Sequence, residues 1–117
     1  DLVFTGRLER SASWCRNNGA GLDPSQELFS TQDYVTITDS GDVDGDGDVD
    51  FAGYLEPVFG GPTIALFEAR AGAFVSRRLA GAEYASDVTL FDIDLDGDED
   101  VIMTDITGRF AFAENPN

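Results

Sequence analysis

Two short acidic segments carry the residues most capable of chemistry in this chain. They hold ten of the 16 aspartates, and both follow the pattern D-x-D-x-D-G-D-x-D. The first runs from Asp42 to Asp50 and the second from Asp92 to Asp100. Two unit charges about 5 Å apart repel by roughly 3 kcal/mol at an effective dielectric constant near 20. We therefore expect a folded loop to gather five carboxylates only where a positive charge lies among them.

The composition favours a divalent cation as the source of that charge. The chain has 117 residues, of which 23 are acidic and 7 basic, so its net charge is −16, and every basic residue is an arginine. No arginine is close in sequence to either acidic segment. When a chain wraps a cation, side chains at positions 1, 3 and 5 point inward, glycine at position 6 permits a sharp turn and position 7 offers its carbonyl. Ligands that are all oxygen favour Ca²⁺ over transition metals, and Mg²⁺ would keep more water.

The alternative interpretation of one such segment is a solvated turn rich in aspartate and glycine. Recurrence of the whole pattern 50 residues later disfavours it. An EF-hand is excluded because its bidentate acid at position 12 would be Gly53 or Met103. The acid that closes each segment stands instead at position 9, as Asp50 or Asp100.

The composition also excludes several classes of function. The chain has no histidine and one cysteine, so a Ser-His-Asp or Cys-His site, an imidazole metal site and a cysteine-rich zinc site are ruled out. The strong negative charge predicts no nucleic-acid partner, and no apolar segment approaches the roughly 20 residues needed for membrane insertion. Because metal ligation explains the dense acids better than a general acid and base do, we expect the chain not to be an enzyme.

The acidic segments belong to an internal repeat of about 50 residues. Each is followed by a hydrophobic segment, beginning at Asp50 or Asp100, and the chain's first residues, from Asp1, look like the same segment. The chain is thus about two and a third copies of one unit, which we divide into residues 1–33, 34–83 and 84–117.

The repeats are predicted to be β structure. Short segments rich in Val, Ile, Thr and Phe alternate with clusters of Gly, Pro, Asn and Asp, and no convincing amphipathic helix is found. Four short strands in 40 to 50 residues are typical of a propeller blade. Strands are predicted over 34–38, 51–55, 63–67, 73–79, 88–91, 101–104 and 109–113.

The acidic pattern followed by a hydrophobic strand resembles the FG-GAP/VCBS repeat of integrin-α-like β-propellers. Segments similar to aromatic-x-Glu-Asn near 14–17, 66–69 and 112–115 are also typical of VCBS-type repeats. The Gly-Ala-Pro of the family name is missing after both acidic segments, and Phe59-Gly-Gly-Pro62 is interpreted as a loop. The resemblance implies an all-β fold of four-stranded antiparallel blades, with Ca²⁺ in the hairpin loop between the first and second strands.

Carried over by position, the resemblance implies two calcium sites. The first ion would be held by Asp42, Asp44, Asp46, Asp50 and the carbonyl of Asp48. The second would be held by Asp92, Asp94, Asp96, Asp100 and the carbonyl of Asp98. Val43 and Ile93, between the ligands, would point inward and anchor the loops.

The resemblance also implies an incomplete propeller. Residues 1–33 would supply strands 2–4 of one blade, 34–83 a complete blade and 84–117 part of a third, and the partners would be other blades of a longer chain or of other copies. The implied function is a calcium-binding structural or adhesive segment of an extracellular or cell-surface protein, with a protein or glycan partner. A carbohydrate-binding, lectin-like propeller is the alternative.

Three further features have open interpretations. Trp14, Leu66 and Phe112 share one repeat position and are expected to pack between blades, with a sugar-stacking platform as the alternative. Cys15 is expected to be a small core residue, or else to bond to a cysteine elsewhere in the molecule. Arg77 and Arg78 are expected on a solvated face or in ion pairs.

Overall fold

A computed structural model describes residues 1–83 and 85–113, with the backbone alone described at 80–83 and 85. This part of the chain contains ten β-strands and no helix. The strands are β1 (Leu2–Thr5), β2 (Ser11–Cys15), β3 (Gln26–Ser30), β4 (Tyr34–Gly41), β5 (Asp50–Glu56), β6 (Thr63–Arg70), β7 (Ala73–Glu83), β8 (Ala85–Phe91), β9 (Asp100–Asp105) and β10 (Phe110–Ala113). The predicted all-β class is confirmed, and each strand predicted from residue 34 onward coincides with one of these.

The strands form three antiparallel sheets, each built from consecutive strands. Sheet 1 contains β1, β2 and β3, sheet 2 contains β4 to β7, and sheet 3 contains β8, β9 and β10. Within the described part of the chain, sheet 2 alone has four strands. The described residues do not close into a ring, so the propeller itself stays a prediction.

The strand registers repeat from sheet to sheet. Each sheet pairs one residue of its hydrophobic strand with the residue predicted to share a repeat position: Val3 with Trp14, Ala52 with Leu66, and Ile102 with Phe112. Asp1 also corresponds to Asp50, since Asp1 accepts the N–H of Asn17 at 2.9 Å and Asp50 accepts that of Ala69 at 2.8 Å. The sequence repeat is therefore a structural repeat.

Sheet 2 lies between the other two sheets and has a hydrophobic core on each face. Side chains alternate across a strand, so neighbouring residues of β6 enter different cores: Ile64 and Leu66 the core shared with sheet 3, Ala65 and Phe67 the core shared with sheet 1. Phe67 stacks on Phe29 of sheet 1 with ring centroids 4.8 Å apart. Burial on both faces explains why the central part of β6, from Ile64 to Phe67, is apolar without interruption.

Polar contacts also join sheets 2 and 3. Thr38 donates its hydroxyl to the carbonyl of Val88 at 2.6 Å. The Asp39 carboxylate accepts hydrogen bonds from the Thr89 hydroxyl at 2.6 Å and from the Leu90 N–H at 2.9 Å. The register of β4 shifts between Ile37 and Asp39, and this bulge brings two successive side chains to β8.

Several smaller predictions can be compared with the fold. Phe59 lies in the loop between β5 and β6, as predicted, and its side chain is 90% exposed. Arg77 pairs with Glu68 and Arg78 with Asp33, which confirms the ion-pair interpretation.

Cys15 is half-buried and is a free thiol among the described residues. In the same part of the chain, no helix has the length and hydropathy required to cross a membrane.

Candidate metal centres

Each acidic segment forms the hairpin loop between the first and second strands of its unit. Loop 1 (residues 42–49) joins β4 to β5, and loop 2 (residues 92–99) joins β8 to β9. The strand pairs that close them are equivalent, Gly41 with Asp50 and Phe91 with Asp100. The two loops therefore leave and re-enter their sheets in the same register.

The aspartate at position 1 of each loop organises the turn that follows it. Asp42 accepts the backbone N–H of Asp46 at 3.0 Å through one carboxylate oxygen and that of Gly47 at 2.9 Å through the other. In loop 2, Asp92 accepts the corresponding N–H groups at 3.1 and 3.0 Å. One carboxylate in each loop thus holds the backbone of positions 5 and 6.

Positions 3 and 5 wind the chain further through local side chain-to-backbone bonds. In loop 1 the Asp46 N–H lies 3.3 Å from Asp44 Oδ1, and the Asp48 N–H donates to Asp46 Oδ1 at 2.8 Å. The equivalent distances in loop 2 are 3.2 and 3.0 Å. Such turns curl the backbone around its own carboxylates.

The residues at positions 4 and 6 of each loop have positive φ, which turns the chain sharply. Position 6 is Gly47 or Gly97, with φ of +90° and +103°, as the predicted sharp turn requires. Position 4 is Gly45 in loop 1 (φ +74°) but Leu95 in loop 2 (φ +64°). The Leu95 side chain is 83% exposed, so the strain of that φ is not offset by burial.

The aspartate at position 9 ties the end of each loop to its start. Asp50 is 0% exposed and accepts the N–H groups of Val43, at 2.9 Å, and Ala69, at 2.8 Å. Asp100 is 1% exposed and accepts the N–H of Ile93 at 3.0 Å. Position 9 therefore has a structural role besides its predicted role as a ligand.

The carboxylates of each loop converge closely enough to hold one cation. In loop 1, one oxygen each from Asp42, Asp44 and Asp46 lie within 4.8 Å of one another. In loop 2 the equivalent group is Asp92, Asp94 and Asp100. Calcium–oxygen distances of about 2.3–2.6 Å place oxygens on opposite sides of the ion about 5 Å apart. The donor set and its size therefore fit Ca²⁺.

The predicted ligands are not all brought together in the same way in the two loops. Asp50 lies outside the group of loop 1 and Asp96 outside that of loop 2, whereas their counterparts Asp100 and Asp46 are included. Between them, the two groups cover positions 1, 3, 5 and 9 of the predicted site. The side chains of Asp48 and Asp98 belong to neither group, and for these residues the predicted ligand is the backbone carbonyl.

Only one of the two predicted loop anchors points inward. Val43 is 2% exposed and lies in the core between sheets 2 and 3, which confirms the prediction. The prediction for Ile93 is wrong, because its side chain is 44% exposed. Val43 is covered by sheet 3, whereas no described residue forms a further sheet over Ile93.

Sequence reasoning missed an arginine beside loop 1. Arg70, at the end of β6, places a guanidinium nitrogen 3.7 Å from Asp44 and 2.8 Å from the buried carboxylate of Glu68. Arg77 also bonds Glu68, at 3.0 Å. No arginine is close to loop 1 in sequence, but Arg70 is close to it in space. Strand pairing places Arg70 beside loop 1, because the N–H of its neighbour Ala69 is bound to Asp50 at the end of the loop.

Loss of water, together with crowding of like charges, raises the pKa of carboxyl groups at both centres. Burial and repulsion from Asp46 raise the pKa of Asp44, and burial and repulsion from Asp96 raise the pKa of Asp94. Removal of water and the proximity of Asp39 likewise raise the pKa of Glu99. A bound cation would offset this repulsion.

The two loops also touch each other. The Glu99 carboxylate accepts the backbone N–H of Asp42 and fills the space in which a side chain at Gly41 would lie. Sheet 3 thus reaches the base of loop 1 through a residue of loop 2.

Three apolar residues share one repeat position, but each lies in a different environment. Leu66 is buried between sheets 2 and 3, as expected for packing, whereas Phe112 is 59% exposed. Trp14 is half-buried and lines an open cleft of about 380 Å³ between sheets 1 and 2, together with Phe51 and Phe74.

No family model, curated protein or solved structure matches this chain. The FG-GAP/VCBS resemblance thus stays a prediction from the motif. Residues 114–117, which include part of its third aromatic-x-Glu-Asn segment, lie outside the described residues.

Proposed function

We propose that this chain is a calcium-binding segment of an FG-GAP/VCBS-type β-propeller, with a structural or adhesive role in an extracellular or cell-surface protein. The observation that carries the proposal is the recurrence of one set of carboxylate–amide hydrogen bonds in two loops 50 residues apart. A solvated acidic turn has no reason to reproduce that set. Both loops hold their carboxylates close together by the same contacts, and cation binding would account for this in both.

The ions are proposed to stabilise structure rather than to perform chemistry. Each loop and the first residue of the strand after it hold five aspartates, and a divalent ion bound among them removes much of their mutual repulsion. Because Glu99 joins loop 2 to the base of loop 1, ordering one loop also supports the junction of sheets 2 and 3. We propose no catalytic residue.

We propose an extracellular location because sites of this kind would be occupied there. Extracellular calcium modules bind with dissociation constants of about 10⁻⁴ to 10⁻³ M, which intracellular calcium does not saturate. At millimolar Ca²⁺, a site of about 10⁻⁴ M contributes roughly 1.4 kcal/mol to the free energy of unfolding.

Calorimetric titration of the full chain, after removal of metal with a chelator, tests the proposal. We expect two equivalents of Ca²⁺ to bind, with weaker binding of Mg²⁺ at the same ionic strength. Asp46→Asn and Asp96→Asn should each remove one equivalent, and the double variant should bind none.

Glu56→Gln is the matched control, because Glu56 is an exposed acid outside both loops. This variant should keep both equivalents. Binding of no Ca²⁺ at millimolar concentration, or loss of binding in Glu56→Gln as well, would contradict the assignment.

The cleft beside Trp14 supports a second candidate function, carbohydrate binding. An aromatic ring in an open cleft can stack on a sugar, and Ser40 and Asp1 supply polar groups at its border. A glycan array tests this candidate. Binding that is lost in Trp14→Ala, with calcium stoichiometry unchanged, would support it, and an array without a ligand would remove it.

A further inference from the structure

The outer face of sheet 3 is apolar and exposed. Four residues of this face and of the adjoining loop 2, which we call the tail face, lie on the side away from sheet 2. They are Phe91 (58% exposed), Ile93 (44%), Phe110 (79%) and Phe112 (59%). Their neighbours Leu90, Val101 and Ala113 point the other way, into the core with sheet 2. Such a cluster of large apolar side chains is typical of an interaction surface.

The tail face corresponds to a surface that is buried elsewhere in the chain. Ile64 pairs with Tyr54 and Phe110 with Thr104, so Ile64 and Phe110 are equivalent. By the same register Leu66 is equivalent to Phe112, and Val43 to Ile93. Ile64, Leu66 and Val43 are each at most 2% exposed, because sheet 3 covers them.

Sheet 1 exposes the complementary surface. Leu2 (46% exposed), Phe4 (41%) and the half-buried Cys15, which we call the head face, point away from sheet 2. Cys15 pairs with Leu2 as Ala113 pairs with Val101. In sheet 3, the equivalents of the head face are Val101, Met103 and Ala113, and these pack against sheet 2.

We propose that copies of this chain associate head to tail, with the tail face of one copy packed on the head face of the next. The contact continues the stacking already present between sheets 2 and 3 and uses equivalent residues on both sides. It is heterologous, so each copy keeps one free head and one free tail, and a ring or a linear array can form.

The residues at both faces suit this occupant. The tail face presents Phe110 and Phe112 where sheet 2 has Ile64 and Leu66, and the head face presents Phe4 where sheet 3 has Met103. The contact between copies is therefore apolar on both sides, as it is between sheets 2 and 3. Since each copy carries a charge of −16, association should strengthen as salt screens the repulsion.

Sedimentation velocity of the full chain at rising concentration, in 0.15 M salt and in added salt, tests the proposal. We expect species larger than a monomer to form. Phe112→Asp at the tail face and Phe4→Asp at the head face should each weaken association about tenfold or more. Phe59→Asp is the control, since Phe59 is more exposed than either but lies in the β5–β6 loop, and it should have no effect.

Mixing the two variants distinguishes head-to-tail contact from other arrangements. Phe112→Asp retains an intact head and Phe4→Asp an intact tail, so an equimolar mixture should form a dimer and nothing larger. Phe110→Ser replaces Phe112→Asp if circular dichroism shows that the latter is unfolded. A monomer at all concentrations would overturn the proposal, as would association that persists in Phe4→Asp alone. Calcium titration of the same samples reports separately on the proposed function, so the two can fail independently.

Discussion

Asp50 accepts the backbone N–H of Val43 at 2.9 Å, and this bond joins the last acid of loop 1 to the second residue of the loop. Asp100 and Ile93 repeat it at 3.0 Å in loop 2. Because Asp50 is fully buried and also binds the N–H of Ala69, it contributes to the fold without any ion. The carboxylates of Asp42, Asp44 and Asp46 accept backbone N–H groups of the loop itself, and Asp44 also lies near Arg70.

Asp50→Ala should therefore destabilise the protein even in the presence of a chelator. The substitution leaves the buried N–H of Val43 and the partly buried N–H of Ala69 without this acceptor, at about 1–3 kcal/mol for each. We expect the free energy of unfolding in urea to fall by about 3 kcal/mol in chelator. Asp46→Ala should lower it mainly in Ca²⁺, since Asp46 is exposed. Equal losses for the two variants in chelator would show that Asp50 has no separate structural role.

Leu95→Gly should stabilise the protein. Leu95 has a φ of +64° and an 83% exposed side chain, so glycine relieves strain and sacrifices little burial. The strain is about 1–2 kcal/mol and the added entropy of the unfolded chain about 0.4–1 kcal/mol, which leaves a net gain of about 0.5–1 kcal/mol. Thermal unfolding in chelator measures it. The reciprocal variant Gly45→Leu should lower the melting temperature, and a rise in that variant would contradict the equivalence of the loops.

Arg70→Gln should increase the calcium affinity of loop 1. The guanidinium lies 3.7 Å from Asp44, where it attracts the carboxylate and repels an incoming cation. Its removal should strengthen binding at this site about two- to fivefold, with less change at high salt. Arg77→Gln is the control, since Arg77 bonds the same Glu68 and, within the described residues, forms no ion pair with loop 1. Titration calorimetry in an Asp96→Asn background isolates the site, and equal effects of both variants would assign the change to Glu68 instead.

Asp39 should make the junction of sheets 2 and 3 sensitive to acid. Partial burial raises the pKa of Asp39, but hydrogen bonds from Thr89, Leu90 and Ser40 outweigh it, and the pKa is lowered overall. A carboxyl group whose pKa is lower in the folded state stabilises the protein above its unfolded-state pKa, and the contribution is lost as the pH falls through the folded value. The contribution of Asp39 should thus be present at pH 5 and disappear below about pH 3.8.

Two variants measure this contribution. Asp39→Ala removes the acceptor and should cost about 1–2 kcal/mol at pH 6. Asp39→Asn keeps an acceptor oxygen and should cost less, so the wild type and this variant should converge in stability between pH 5 and pH 3. A difference that does not depend on pH would assign the effect to packing rather than to the charge.

Much of the local architecture was predictable because each strand is short and bounded by turn residues. The run from Thr63 to Phe67 could be read as a strand without knowing its neighbours, and the glycine at position 6 indicated the turns at Gly47 and Gly97. The loop positions followed from the same pattern. These features depend on residues that are close together in the sequence, so the sequence alone is enough to predict them.

Features that depend on neighbouring sheets were not predictable. Val43 and Ile93 occupy the same place in the pattern, yet only Val43 is buried, because burial depends on the sheet that lies above the loop. Arg70 reaches Asp44 because β6 pairs with β5, and the number of residues between them gave no indication of it. The contact between Glu99 and the base of loop 1 likewise joins two different repeats, so neither repeat alone indicates it.

Strand β6 has a consequence for the way this protein unfolds. Every residue from Ile64 to Glu68 is buried, and successive side chains belong to opposite cores. If either outer sheet were to peel away, water would reach a strand on which the other core also depends. The three sheets should therefore melt together, in a single cooperative transition, although the architecture is repetitive.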